Sequence, residues 1–177
     1  MDSCFRESLR IRPFVIYGLG REVVPKEGVF APDGTHLPQG SWVCVSNMDI
    51  HLDDRFYEDP ETFNPYRFIS TTPTGEVTPK AMLSTASPSF LAFSYGDYVW
   101  YVCDLHPGGN KRMSNLIYSP GRVYASQMLK TVAAYMVAHY DFGTNPYRKT
   151  NWISGMIQAP AYWANFTFRR RQNKASV

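Results

Sequence analysis

Cysteine is scarce in this chain, and the few present are irregularly placed. Cys4, Cys44 and Cys103 make an odd count with no repeated spacing. That excludes a disulfide framework and fits a reducing compartment. Zinc chemistry is nearly excluded as well. Cys103 and His106 form a C-x-x-H pair, but a structural zinc site needs four ligands and no second pair accompanies them. Long apolar runs are also missing; no segment approaches the roughly 18 residues that span a bilayer. The N-terminus, Met1-Asp2-Ser3-Cys4-Phe5-Arg6-Glu7, lacks the basic and apolar regions of a signal peptide. Charge of one sign is not in excess either. A net charge of +3 is too small to imply a nucleic-acid partner. The densest basic run, Arg169-Arg170-Arg171 with Lys174, reads as a solvated tail. There is no internal repeat.

What the chain does have is apolar and aromatic content. Its 177 residues are 44% hydrophobic, 15% aromatic and 19% charged. Such a chain reads as one globular domain with enough material for a core. High aromatic content fits either buried clusters or an apolar ligand site.

The pattern along the chain is mixed. Asp2 or Ser3 can cap a short helix carrying Phe5, Leu9 and Ile11, closed by Pro13. Arg21 to Val24 reads as a strand. Val29 to Ala31 and Thr35 to Leu37 flank the turn Pro32-Asp33-Gly34, which predicts a hairpin. Trp42 to Ser46 reads as a buried strand, and Asn47 to Asp54 as one or two helical turns. Glu58 to Phe68 has no period and reads as an ordered meander. Residues 71–88 are dominated by Thr, Ser and Pro and read as a flexible loop. Ser119-Pro120 is a strong helix start, and the helix runs to about His139 with Met128, Val132, Tyr135 and Met136 on one face. Tyr162 to Arg169 alternates as a strand does. The fold class is α+β.

Two short motifs stand out. Glu7-Ser8-Leu9-Arg10 is E-x-x-R, which alone is usually a surface ion pair. Phe63-Asn64-Pro65-Tyr66-Arg67-Phe68 is F-x-P-x-R-F, a rarer string. Further on, Phe90-Leu91-Ala92-Phe93-Ser94-Tyr95-Gly96 and Pro120-Gly121-Arg122 with the helix after it form two halves of one signature. Their middle is displaced: 23 residues, Asp97 to Ser119, separate them.

In order and spacing these motifs resemble the cytochrome P450 family, whose haem-binding loop reads F-x-x-F-G-x-G-x-x-x-C-x-G. The resemblance covers residues 1 to about 96 and 120 to about 170. It corresponds to the C-terminal third or so of a typical member, so residues 1–177 are expected to be a single truncated domain that begins in mid-helix. The expected fold is the C-terminal part of a mainly α fold: E-x-x-R helix, small sheet, meander, ligand-loop helix, terminal strands. By the resemblance, Glu7, Arg10 and Arg67 form a buried structural triad, one carboxylate shared by two guanidinium forks. Arg21 matches a position that meets a haem propionate. His51-Leu52-Asp53-Asp54 resembles the H-x-D segment leading into the meander; without haem, a solvent-facing strand arginine at Arg21 and a capping histidine at His51 are equal alternatives. Phe90, Gly96, Ser119 and Gly121 are the other cofactor-contacting positions implied. No catalytic residue is assigned.

The ligand position itself departs from the pattern. A haem-thiolate site needs an ionised sulfur at a helix N-terminus. Counting forward from Phe90 brings Trp100 there; counting back from Pro120 brings Ser119. Trp cannot ligate iron, and a serine hydroxyl lacks the polarisable sulfur. Cys103 is the nearby cysteine and the candidate metal ligand, but no glycine follows at its second position. Cys4 and Cys44, among apolar neighbours, read as buried thiols. Ser94 stands where the pattern prefers glycine. Residues 97–119 are an atypical insertion, explained as a retained intron or as a true insertion; transcript sequencing separates the two.

The resemblance implies haem b as cofactor, a flavoprotein reductase as electron donor and an apolar small molecule as substrate, with monooxygenase activity of the fungal secondary-metabolism type. Full-length members of the family are anchored in the endoplasmic reticulum, whereas no anchor is legible in this chain. Two other readings stay open: an inactive remnant or interaction fragment without haem, and a self-standing small-ligand domain.

Overall fold

The structure, a computed structural model, describes residues 1–95, 121–143, 151–161 and 165–172. The first element is helix α1, Asp2–Ile11. Its inward face is polar: Ser3, Arg6, Glu7 and Arg10 are buried beside Ile11. Phe5 and Leu9, the apolar residues expected to define its packing face, are only partly buried against the core cluster of Leu83, Phe90 and Phe93. No side chain caps the helix, whose N-cap is Met1. Asp2 and Ser3 spend their oxygens elsewhere. An Asp2 carboxylate oxygen accepts the Leu83 N–H at 2.9 Å, and Ser3 Oγ accepts the Phe68 N–H at 3.0 Å. The expected cap is therefore a pair of tethers to distant chain.

Strand β1, Tyr17–Glu22, pairs antiparallel with β4, Trp42–Ser46. Pairing with β4 starts β1 earlier than the Arg21–Val24 expectation. The register shifts between Gly18 and Arg21, and Leu19 there has φ +56°, the signature of a bulge. Between these strands lies the expected hairpin of β2, Val29–Phe30, and β3, His36–Leu37. Gly28 precedes it at φ +75°, and a Cβ there would collide with the Leu37 carbonyl oxygen, so only glycine fits. The expectation that Trp42–Ser46 is buried fails: Trp42 is 75% exposed, and Val43 and Cys44 are exposed too. Among the described residues β4 belongs to a two-stranded sheet and pairs with β1 alone.

Helix α2, Asn47–His51, follows directly, capped by Ser46 Oγ accepting from the Asp49 N–H. Residues 52–68 carry no helix or strand. This meander is held by turns such as Tyr57 N–H to Asp53 O and Thr62 N–H to Asp59 O. Residues 71–88, expected as a loop, contain regular structure. Strands β5, Ile69–Thr71, and β6, Val77–Pro79, form a hairpin, and Leu83 beyond it is fully buried. Cross-strand backbone bonds supply order that the Thr, Ser and Pro content conceals.

Helix α3, Gly121–His139, begins at the second half of the signature. Met128, Val132 and Tyr135 on its expected face are exposed, and Ser126 is its buried residue. An ion pair from Lys130 Nζ to Asp2 at 3.1 Å ties it to α1. Strand β7, Tyr140–Phe142, pairs with β10, Phe168–Arg170, which overlaps the expected terminal strand at Phe168 and Arg169, while residues 165–167 carry no strand. Strands β8, Trp152–Ser154, and β9, Ile157–Ala159, form a hairpin. It docks on the segment after α1 through Ile16 N–H to Met156 O and Gln158 N–H to Phe14 O, both 2.8 Å. The described residues thus hold three helices and five two-stranded sheets, an α+β arrangement.

Candidate functional site

Glu7, Arg10 and Arg67 meet although the last is sixty residues from the first. Glu7 and Arg10 share one helical face at i and i+3. Arg10 Nε and Nη2 donate to the two Glu7 oxygens at 2.8 Å each, a bidentate fork. Arg67 Nε and the Asn64 N–H each donate to Glu7 Oε1 at 3.0 Å. Glu7 and Arg10 are fully buried. Burial alone would raise the Glu7 pKa, but its hydrogen bonds to Arg10, Asn64 and Arg67 outweigh this and hold it below the usual carboxylate value.

The same guanidinium groups organise irregular backbone. Arg67 donates to the carbonyls of Glu58, Asp59 and Thr62, which have no ladder to join. Arg10 Nη1 donates to the His51 carbonyl at 2.6 Å. The triad is therefore a structural fastener between α1, α2 and the meander.

Arg6 and His51 extend this network to the signature loop. Arg6 is buried, has no carboxylate partner among the described residues, and donates from Nη1 to the carbonyls of Met82 and Thr85. Its guanidinium lies 3.7 Å from the centroid of Phe90. Burial pulls its pKa down to about 10, which leaves it charged at neutral pH. The His51 ring stacks on Phe90 at 5.3 Å and 17° between planes. Burial, reinforced by the charges of Arg10 and Arg6, pushes its pKa down to about 4 against a hydrogen bond to Arg10 O that favours the charged form. His51 is thus buried in its neutral form, and the capping role read from sequence does not hold.

The remaining expected positions are dispersed or lie elsewhere in the chain. Phe90 is fully buried in the cluster it forms with Leu83 and Phe93. Arg21 is exposed on β1, with Nη1 donating to Gly20 O at 2.8 Å. Gly121 opens α3. Gly96, Cys103 and Ser119 lie outside the described residues. Cys4 and Cys44 are exposed, contrary to the buried-thiol expectation, because α1 turns its polar face inward and β4 is largely uncovered. Ser94 has φ +67°, which explains why this position favours glycine. A groove of about 610 Å³ is lined by Asp49, Asp53, Asp54, Asp59 and Glu61, a chemistry unlike that of an apolar substrate site.

Sequence reasoning missed Arg6 and Asn47. Arg6 shares a helical face with Arg10, and Asn47 stands at i−4 from His51, so helical spacing was the available signal.

Comparison with known proteins fits this geometry. A family model described as cytochrome P450 matches residues 1–98. The cytochrome P450 monooxygenase efuH of Hormonema carpetanum is 38% identical over 79% of this chain and 22% of its own length. The cytochrome P450 monooxygenase polB of Polytolypa hystricis is 33% identical over 97% of this chain and 30% of its own. Among solved structures, a retinoic acid-bound cyanobacterial CYP120A1 superposes with a TM-score of 0.63 at 22% identity, covering 96% of this chain and 32% of that one. A zebra fish cytochrome P450 solved with progesterone gives 0.60 at 19%, covering 96% and 31%. The chain therefore spans less than a third of the length of these relatives.

Proposed function

The chain belongs to the cytochrome P450 family, and we propose that it forms the haem-binding, C-terminal part of a monooxygenase acting on an apolar small molecule, of the secondary-metabolism type. The observation that carries this reading is the buried Glu7–Arg10–Arg67 cluster, joined through His51 to residues 90–95 of the signature. A flavoprotein reductase would supply electrons. Arg21 and Gly121 would serve as haem contacts beside Gly96 and Ser119.

Haem b is the group the family implies, and a thiolate is what would hold its iron. The donor chemistry of this chain does not fit that requirement in register. Trp100 and Ser119 occupy the two countings of the ligand position, and Cys4 and Cys44 are surface residues of α1 and β4. Cys103 is left as the candidate. The same mismatch favours a second reading, a folded remnant without haem.

Haem titration of the purified chain separates the two. Uptake with a thiolate-type carbonyl spectrum after reduction supports the first reading, and its loss in Cys103→Ser assigns the ligand. Absence of uptake by a folded chain supports the remnant.

A further inference from the structure

Helix α2 contributes two buried polar side chains, Asn47 and His51, four residues apart on one face. Both are directed at the backbone of a single residue, Leu91. The Leu91 N–H donates to His51 Nε2 at 2.8 Å, and Asn47 Nδ2 donates to the Leu91 carbonyl at 3.4 Å. The same Nδ2 donates to Val15 O at 3.0 Å, which ties the chain after α1 to the same point. Because Nε2 accepts, the proton of the neutral ring sits on Nδ1, which donates to Arg10 O at 3.2 Å. Leu91 O also receives the Ser94 N–H at 2.9 Å and so closes the turn that carries Ser94. Leu91 is buried at 3% exposure, with no strand neighbour to satisfy its amide. Without His51 its N–H would be an unpaired donor in the core.

We propose that Asn47 and His51 form a two-point clamp on Leu91 that positions residues 90–95 against α1, with His51 held in its Nδ1–H tautomer. Both are positioning residues that act through Leu91, and the clamp operates with or without haem. Helix α2 thereby adds a backbone link between the arginine network of α1 and the loop that carries the family signature, beside the direct Arg6–Phe90 contact. A helix of five residues suffices because i and i+4 are its two buried positions.

The test uses the full, isotopically labelled chain. Long-range proton–nitrogen spectra, with the His51 signal identified by its absence in His51→Gln, should show an unprotonated Nε2 and a protonated Nδ1 at neutral pH. Amide exchange supplies the second measurement. In His51→Leu the Leu91 N–H should exchange roughly tenfold faster relative to α1 amides. In His51→Gln it should stay slow, because the glutamine carbonyl replaces Nε2 as acceptor. A proton on Nε2 overturns the clamp. So does equal Leu91 exchange in His51→Leu and the original chain, or equally fast exchange in both variants. Should His51→Leu fail to fold, the tautomer in the unaltered chain decides.

Discussion

Arg10 and His51 exchange hydrogen bonds in both directions: Arg10 Nη1 donates to the His51 carbonyl at 2.6 Å, and His51 Nδ1 donates to the Arg10 carbonyl at 3.2 Å. Protonation at Nε2 would leave this pairing intact, but it would remove the acceptor of the Leu91 N–H and bury a cation beside a guanidinium, so His51 is held neutral.

That condition sets a pH dependence. The His51 pKa falls from 6.5 to about 4 on folding, so between those values the unfolded chain binds a proton that the folded chain rejects. Stability is full above pH 6.5 and declines on acidification to about pH 4, by roughly 3 kcal/mol from this group. Glu7, with its pKa lowered despite burial, adds a further loss below its ordinary value of 4.5. Denaturant unfolding at a series of pH values measures this. His51→Gln should flatten the window between 4 and 6.5, and an unchanged slope would contradict the assignment.

Ser94 holds a left-handed backbone, φ +67°, without being glycine. Relieving that conformation should outweigh the extra freedom glycine gains in the unfolded chain. Ser94→Gly should therefore raise stability by about 1 kcal/mol, read as a higher denaturant midpoint at unchanged slope. Loss of stability would mean that the Ser94 side chain contributes more than its backbone costs.

The exposed thiols of Cys4 and Cys44 should be modified by a maleimide in the folded chain. Peptide mapping after a short pulse reads each site separately. Labelling that waits for denaturant at either site would restore the buried reading of that residue.

The readable parts of this chain were those in which a short string dictates a local geometry. Pro32-Asp33-Gly34 marked the β2–β3 turn, and E-x-x-R with F-x-P-x-R-F marked residues that meet sixty positions apart. Burial was harder to read than element type. Apolar composition put Trp42–Ser46 in the core, whereas a strand's burial depends on what covers its sheet, which its own residues do not encode. Residue type alone would turn Arg6, Glu7 and Arg10 of α1 to water, since such side chains face it unless partners elsewhere satisfy them; the burial of Glu7 and Arg10 was legible only through the family motif, and that of Arg6 not at all. Those partners, the carbonyls of Met82, Thr85 and His51 and the side chain of Arg67, are distant in sequence. Backbone acceptors carry no sequence signature, so Arg6, Asn47 and the role of His51 emerged only from the structure.

A buried charge cluster, independent of any cofactor, holds α1, α2 and the meander together. Glu7→Gln tests it most directly, because it removes the one carboxylate shared by Arg10 and Arg67 while keeping shape. Measured by denaturant unfolding of the haem-free chain at neutral pH, the variant should lose roughly 3–5 kcal/mol, a large part of a typical domain's stability. An unfolding midpoint equal to that of the original chain would contradict the account.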